Sequence, residues 1–343
     1  MKAAILKSAG NLALEDTATP PCPPGGLLVR VRACSICSSD ARMLREGHRA
    51  LAYPRILGHE VAGEIIESRT PRGELKTGDR VQLYPGIPCG KCPPCRRGQE
   101  NHCRELGIIG FSCDGGFAEV VAVPARSLAG GGVNPIPEGL SCEEASLAEP
   151  LASCLNGQGL AGVGRGDSVL IVGAGPIGLL HAMLAGVNGA AEIYMAERLP
   201  ERLEAPGAAP IERMIDAAGE DIKTVIDEET GGRGVDVIIV ACSQADASSL
   251  PELLAPRGRL CLFSGLADGD ISLDANLCHY RELGMVGAYG STASQNSAAI
   301  DLIAEGRVPV GSLITARFPL EGIADAIEYV SRRQGLKAVI TFP

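Results

Sequence analysis

The chain has 343 residues, 45% of them apolar, enough for two domains that each bury a core of their own. Asp and Glu number 41 against 31 Lys and Arg, a net charge of -10, which excludes a nucleic-acid partner unless one face gathers the cations. The opening MKAAILKSAGNLALED reaches acidic residues before any signal-type apolar stretch develops, and no later run approaches the roughly 20 apolar residues of a membrane helix, so a cytoplasmic chain with no membrane partner is expected.

In chain order, the first half reads as short strands between turn residues: KAAILK, LLVRVRACSI, EVAGEIIES, DRVQLY and FAEVVAV. This pattern predicts an irregular, mostly β domain. From about residue 150 strand and helix alternate: SVLIVGAG, a helix from Pro176, EIYMAE, a further helical stretch, VDVIIVAC and RLCLFSG. Strands that are apolar on both faces and separated by helices predict a doubly wound parallel sheet, hence an α/β protein. After roughly residue 285 come two amphipathic segments, SAAIDLIAEG and GIADAIEYVSRR, and a last apolar strand, KAVITF, able to rejoin the first domain. Glycine numbers 44 and aromatic residues make up 3% with no Trp, so Val, Ile, Leu and Ala must fill the core.

Thirteen cysteines is an odd count, and the crowding of four of them suits metal-bound thiolates in a reducing compartment better than disulfides. In CGKCPPCRRGQENHC, the residues Cys89, Cys92, Cys95 and Cys103 follow C-x2-C-x2-C-x7-C, dense enough for four thiolates to close round one tetrahedral zinc ion. A full thiolate shell leaves no vacant position, so this site would be structural. An iron-sulfur cluster is disfavoured because the last gap is seven residues and Arg104 follows where proline is expected. The acidic balance disfavours a nucleic-acid zinc ribbon.

Two further fragments carry metal-ligand types. ACSICSSD holds Cys34 and Cys37, and ILGHE holds His59 and Glu60. Alone, a strand-end cysteine reads as apolar filler and a single histidine as a satisfied polar residue. Together, Cys37, His59 and a carboxylate supply the three protein ligands of a catalytic zinc, with the fourth position left to water or substrate. Glu149, in LAEPLASC, is another carboxylate able to reach the metal or its water; its plainer reading is an acid favoured by a helix N-terminus. Between the ligand motifs, REGHRALAYPR carries Arg45, His48, Arg49 and Arg55, first a solvated loop and second a site for a phosphorylated or carboxylated substrate.

GAGPIG follows the strand SVLIV and opens an apolar helix, the context that a dinucleotide fingerprint requires. Gly173 permits the tight turn, Gly175 lets the backbone approach the pyrophosphate, and Gly178 lets helix and strand pack closely, with Pro176 and Ile177 between them. Glu197 ends the next strand, about 20 residues on, where an acid binds the ribose hydroxyls and repels the extra phosphate of NADP. NAD is therefore favoured, although Arg198 or Arg202 could instead meet a phosphate.

Taken in order, CSSD, GHE, CGKCPPC with its later cysteine, EP at the junction, GAGPIG and the C-terminal return resemble the zinc-dependent medium-chain dehydrogenase superfamily over essentially the whole chain. Glu149 and GAYGS at residues 287–291 are closer to its sorbitol and threonine dehydrogenase branch than to its ethanol branch. The resemblance implies a GroES-like catalytic domain over 1–151 and 286–343 and a Rossmann domain over 152–285. It carries the catalytic zinc onto Cys37 and His59, with Glu60 as ligand or near neighbour and Glu149 as direct or water-mediated ligand, and the structural zinc onto Cys89, Cys92, Cys95 and Cys103. Ser39 matches the hydroxyl that takes the alcohol proton. Where many members continue that relay with a histidine, Asp40-Ala41-Arg42-Met43 has none, leaving His48 or bound water. The implied reaction is hydride transfer between a small secondary alcohol, a polyol or sugar derivative, and NAD, catalysed by a homodimer or homotetramer. A threonine-type hydroxy-amino-acid dehydrogenase is the alternative, and a non-catalytic dinucleotide-binding sensor is the alternative of another class.

Overall fold

The computed structural model describes residues 1–71, 75–204, 207–267 and 269–343. Its chain forms two compact units, one from Met1–Ala152, Ser291–Gly306 and Val310–Pro343, the other from Ser153–Gly290 and Arg307–Pro309.

In the first unit the apolar run Leu27–Ser35 becomes the hub of a seven-stranded sheet. Glu60–Ser68, Arg80–Leu83 and Val133–Pro135 extend the sheet on one side, and Lys337–Thr341 and Ile314–Pro319 on the other. Val120–Val123 also pairs with Leu27–Ser35. Neighbours run antiparallel except the last two strands, which are parallel to each other. Leu27, Val31, Ile65, Leu83, Phe117 and Ile340 are buried in one cluster, each side chain contributing roughly 1.5–3 kcal/mol relative to exposure. Pairing register does the assembly: Ser35 stands opposite Glu60, and Val339 opposite Ser35. A slip of one residue would turn Glu60 to the other face.

The helix Ser38–Glu46 begins where the hub strand ends. Cys37 occupies its N-cap in extended backbone, and Asp40 at the third helical position accepts a hydrogen bond from the Cys37 amide at 3.0 Å, satisfying a donor the helix cannot. Near the C-terminus, Ile323–Ser331 buries Ile323, Ala326 and Ile327, the i, i+3, i+4 stripe expected of an amphipathic helix.

The second unit is a six-stranded, wholly parallel sheet in the order Arg213–Asp216, Glu192–Glu197, Ser168–Val172, Val235–Val240, Leu254–Leu262, Gly284–Gly287. Its winding reverses between Ser168–Val172 and Val235–Val240, the point at whose carboxyl ends such sheets bind ligands. Central strands are apolar on both faces, with Val169, Leu170, Ile171, Ile238 and Ile239 all buried.

Two features depart from the sequence pattern. The single helical stretch expected after EIYMAE divides into a short helix Pro200–Leu203, the strand Arg213–Asp216 and a helix Ile222–Glu229; RMID is too short and too polar for strand periodicity to register. The sheet also continues past residue 285, because Gly284–Gly287 adds in parallel to Leu254–Leu262, and the unit reaches Gly290. A strand flanked by its own glycines carries almost no propensity signal.

Candidate functional site

Strand pairing gathers the first donor set. Cys37 follows the end of the hub strand and His59 precedes the start of its neighbour, so the Ser35 to Glu60 pairing places both motifs side by side. Ligand atoms of Cys37, His59 and Glu60 all lie within 4.8 Å of one another. His59 and Glu60 are buried and Cys37 partly so. Glu149 is not one of that group, although the charges of His59, Glu60, Lys337 and Asp40 act on it.

One oxygen of Glu60, Oε2, accepts hydrogen bonds from Ser35 Oγ and from Lys337 Nζ, the latter at 2.5 Å. Lys337 donates in addition to the carbonyl of Ile36 at 3.1 Å. The other oxygen, Oε1, is buried without a hydrogen-bond partner. Asp40, fully buried, brings Oδ1 to 3.3 Å from His59 Nδ1, and neither atom has a well-aligned hydrogen bond. Ser39 Oγ is likewise buried and unpartnered. A carboxylate oxygen left unpaired in a dry site costs on the order of 1–3 kcal/mol or more unless a cation meets it. A sulfur, an imidazole and a carboxylate oxygen within 4.8 Å of one another form a donor set suited to zinc.

The electrostatics agree. Burial opposes a proton on His59, but the charge of the Asp40 carboxylate and close approach to Asp40 and Cys37 prevail and hold the imidazole well above its ordinary range. Burial pushes Glu149 up to about 7, the His59 charge working against it and the Glu60 charge with it. Burial also opposes the charge of Lys337, which Glu60 and Cys37 restore. The carboxylates of Asp40 and Glu60 thus set up a negative field at the donor atoms, the kind that favours a bound cation.

Sequence reading gave neither Asp40 nor Lys337 a role in the site. Asp40 had a local signal, an acid at the third position of a helix; Lys337 had only the oddity of a charge opening a buried strand 277 residues from its partner. Cys34, the other cysteine of ACSICSSD, is packing: a Cβ at Gly58 or Gly116 would come within 2.9 Å of its sulfur, and burial pushes its thiol well above the usual range.

The four-cysteine run forms a second cluster, the sulfurs of Cys89, Cys92, Cys95 and Cys103 lying within 4.8 Å of one another. Backbone amides point at the sulfurs: Cys89 N to Cys103 Sγ at 3.1 Å, Cys92 N to Cys89 Sγ at 3.4 Å and Glu105 N to Cys103 Sγ at 3.4 Å. Amides of Cys95 and Arg104 lower Cys92 to about 6, while burial and the sulfurs of Cys92 and Cys103 raise Cys95 to about 12. Four sulfurs this close share protons unless a metal replaces them, and amide donation favours the thiolate form that a metal requires.

In the second unit GAGPIG stands between Ser168–Val172 and the helix Pro176–Val187, with Gly175 as N-cap and Pro176 and Ile177 in the first turn. Gly173 has φ +106°, and a Cβ there would meet Cys242 Cβ at 2.8 Å. At Gly178 a Cβ would collide with the carbonyl oxygen of Gly173. At Gly175 only the Arg202 guanidinium approaches, 3.1 Å from where a Cβ would sit, so the positive charge lies over the turn. Glu197 is fixed by backbone: its carboxylate accepts from the amides of Ala174, Arg198 and Leu199 at 2.9, 2.7 and 3.0 Å. A helix N-terminus, bare glycines and an adjacent guanidinium suit a pyrophosphate.

The chain is similar over most of its length to known dehydrogenases. Residues 23–133 match the alcohol dehydrogenase GroES-like domain and residues 176–305 the zinc-binding dehydrogenase family. L-galactonate-5-dehydrogenase of Escherichia coli K12 is 31% identical over 318 residues, covering 92% of this chain and 91% of its own. L-threonine 3-dehydrogenase of Pyrococcus abyssi is 33% identical, covering 91% and 89%. A zinc-binding dehydrogenase from Sinorhizobium meliloti, solved bound to NADP, superposes with a TM-score of 0.91 at 30% identity over 99% of both chains. With its two metal-ligand clusters, its fingerprint and whole-length relatives of this kind, the chain belongs to the zinc-dependent medium-chain dehydrogenase/reductase superfamily.

Proposed function

We propose that the protein oxidises a secondary alcohol of the polyol or sugar-derived type, with Cys37, His59 and Glu60 holding a zinc ion and the loop from Gly173 to Gly178 holding NAD. The buried, unpaired Oε1 of Glu60 beside Cys37 and His59 carries this reading. When bound, the ion supplies a Lewis acid for the alcohol oxygen and the nicotinamide supplies the hydride acceptor.

The protein's own residues prepare the site. Lys337 and Ser35 occupy one oxygen of Glu60 and leave the other free. Asp40 orients the His59 ring from its far side and holds the Cys37 amide, tying two donors to one carboxylate. Ser39 Oγ, buried and unpartnered, takes the alcohol proton and passes it outward. Glu149, near these charges, is a fourth donor, direct or through water, and the second carboxylate. Cys89, Cys92, Cys95 and Cys103 hold a structural zinc. Glu197 favours NAD over NADP, since a fixed acid at this strand end repels a ribose phosphate, while Arg202 meets the pyrophosphate.

Similarity to the archaeal threonine dehydrogenase supports a hydroxy-amino acid as the second reading. A panel of polyols, sugar derivatives and hydroxy-amino acids, scored by NADH absorbance with NAD and then NADP, separates the two. Ser39→Ala is expected to keep both metals and cofactor affinity while turnover falls roughly 10²–10⁴-fold. Unchanged turnover would remove Ser39 from the relay, and a binding-competent chain with no turnover on the panel would favour the sensor.

The protein is also read as a cytoplasmic homodimer or homotetramer. Thirteen free cysteines suit a reducing compartment. Gly284–Gly287 closes the parallel sheet as an edge strand with Met285 and nearby Tyr280 exposed, and an edge with apolar neighbours invites pairing with another copy. Sedimentation equilibrium is expected to return a multiple of 35.5 kDa, and a monomer at micromolar concentration would overturn this.

A further inference from the structure

We infer that the substrate carries an anionic group, a carboxylate or a phosphate, remote from its reacting carbon, and that Arg42 and Arg49 bind it; this rests on the alcohol-dehydrogenase reading above. Phe111 joins the loop to the donor set. Its ring packs edge-on against His59, centroids 5.3 Å apart, and against His48, centroids 5.6 Å apart. His48 and its neighbours therefore stand one aromatic ring away from a proposed metal ligand. Arg42 reaches the same region from the helix Ser38–Glu46, three residues after Ser39 and hence on the adjoining turn of one helix face.

The charges in this loop are not all of one kind. Arg45 is paired with Glu46 at 2.7 Å and Arg55 with Asp114 at 2.8 Å, so both nearby acids are already engaged. Arg42 and Arg49 have no ion pair among the described residues, and both are exposed. Their charges reach His48, where they join burial in lowering the imidazole below its ordinary value. His48 Nδ1 accepts the Ala50 amide at 3.1 Å, which leaves Nε2 to carry the proton of the neutral ring as a donor. Together Arg42, Arg49 and His48 thus offer two guanidinium groups without an ion pair and a neutral donor on a chain whose net charge is -10.

Arg42 and Arg49 suit an anion better than the inner site does. The inner site already holds the carboxylates of Glu60, Asp40 and Glu149, with Lys337 engaged by Glu60, whereas Arg42 and Arg49 supply forked donors that match carboxylate and phosphate geometry. A neutral polyol would use the inner site and leave Arg42 and Arg49 unused.

The test compares kcat/KM of the zinc-loaded full chain with NAD for a neutral hexitol, a hexonate and a hexitol phosphate. One anionic substrate is expected to exceed the hexitol roughly tenfold or more, which identifies the group, and the advantage should shrink as salt is raised. In the Arg42→Gln/Arg49→Gln double variant the anionic-to-neutral ratio is expected to fall roughly tenfold, mainly through KM; Arg257→Gln, an exposed cation of the other unit, should keep the wild-type ratio. Equal efficiency for all three substrates, or a ratio that the double variant leaves intact, overturns the inference and returns the loop to a solvated surface while the dehydrogenase reading stands. Turnover of none of them overturns the inference together with the polyol reading on which it rests, and leaves the hydroxy-amino-acid reading.

Discussion

His59→Ala is expected to leave about one zinc per chain in place of two and to lower turnover by roughly three orders of magnitude or more. The substitution removes one of three converging donors and leaves Cys37 and Glu60, too few to hold an ion with a vacant position. It also strands the buried Asp40, whose Oδ1 now lies 3.3 Å from the imidazole, so the loss does not reduce to one missing ligand. Because the site belongs wholly to the first unit, cofactor binding by the second should survive. Metal content by plasma mass spectrometry and NADH binding by fluorescence would check the two halves separately. Two retained zincs with wild-type turnover would refute the donor set.

Cys95→Ala should fail differently. One zinc is again lost, but the deficit appears in stability, because the cluster of Cys89, Cys92, Cys95 and Cys103 organises a segment whose only helices are a four-residue piece at Pro93–Arg96 and a 3₁₀ turn at Glu100–His102. Zinc held by four thiolates contributes on the order of 10 kcal/mol of apparent binding energy to the folded form, against roughly 1–3 kcal/mol for removal of an ordinary small side chain. A fall in the thermal midpoint of about 10 °C or more is expected, with aggregation on heating. Calorimetry beside metal analysis reads both effects. If the variant keeps two zincs and its wild-type midpoint, the four sulfurs are not a metal site.

The contrast between these substitutions shows which signals a sequence carries. CGKCPPCRRGQENHC packs all four donors into fifteen consecutive residues, so chain geometry alone brings them together, and the spacing is informative without any fold. GAGPIG is local in the same sense: the strand before it, the helix after it and the clash that a side chain at Gly178 would make are properties of one continuous segment. Apolar runs such as SVLIV and VDVIIV likewise announce a buried parallel sheet. RMID and GMVG do not, since four residues framed by polar or glycine positions acquire strand character only from the neighbours they pair with.

By itself the sequence determined the kinds of donor, the thiolate cluster, the dinucleotide turn and the α/β half of the chain, because each depends on residues that are near one another along it. Only the tertiary structure decided that Glu60 lies with Cys37 and His59, that Lys337 and Ser35 spare one of its oxygens, and that Phe111 links the basic loop to His59. Those relations arise from register across antiparallel strands and from a C-terminal strand that returns to the first sheet, and spacing along a chain contains no record of which strands will meet.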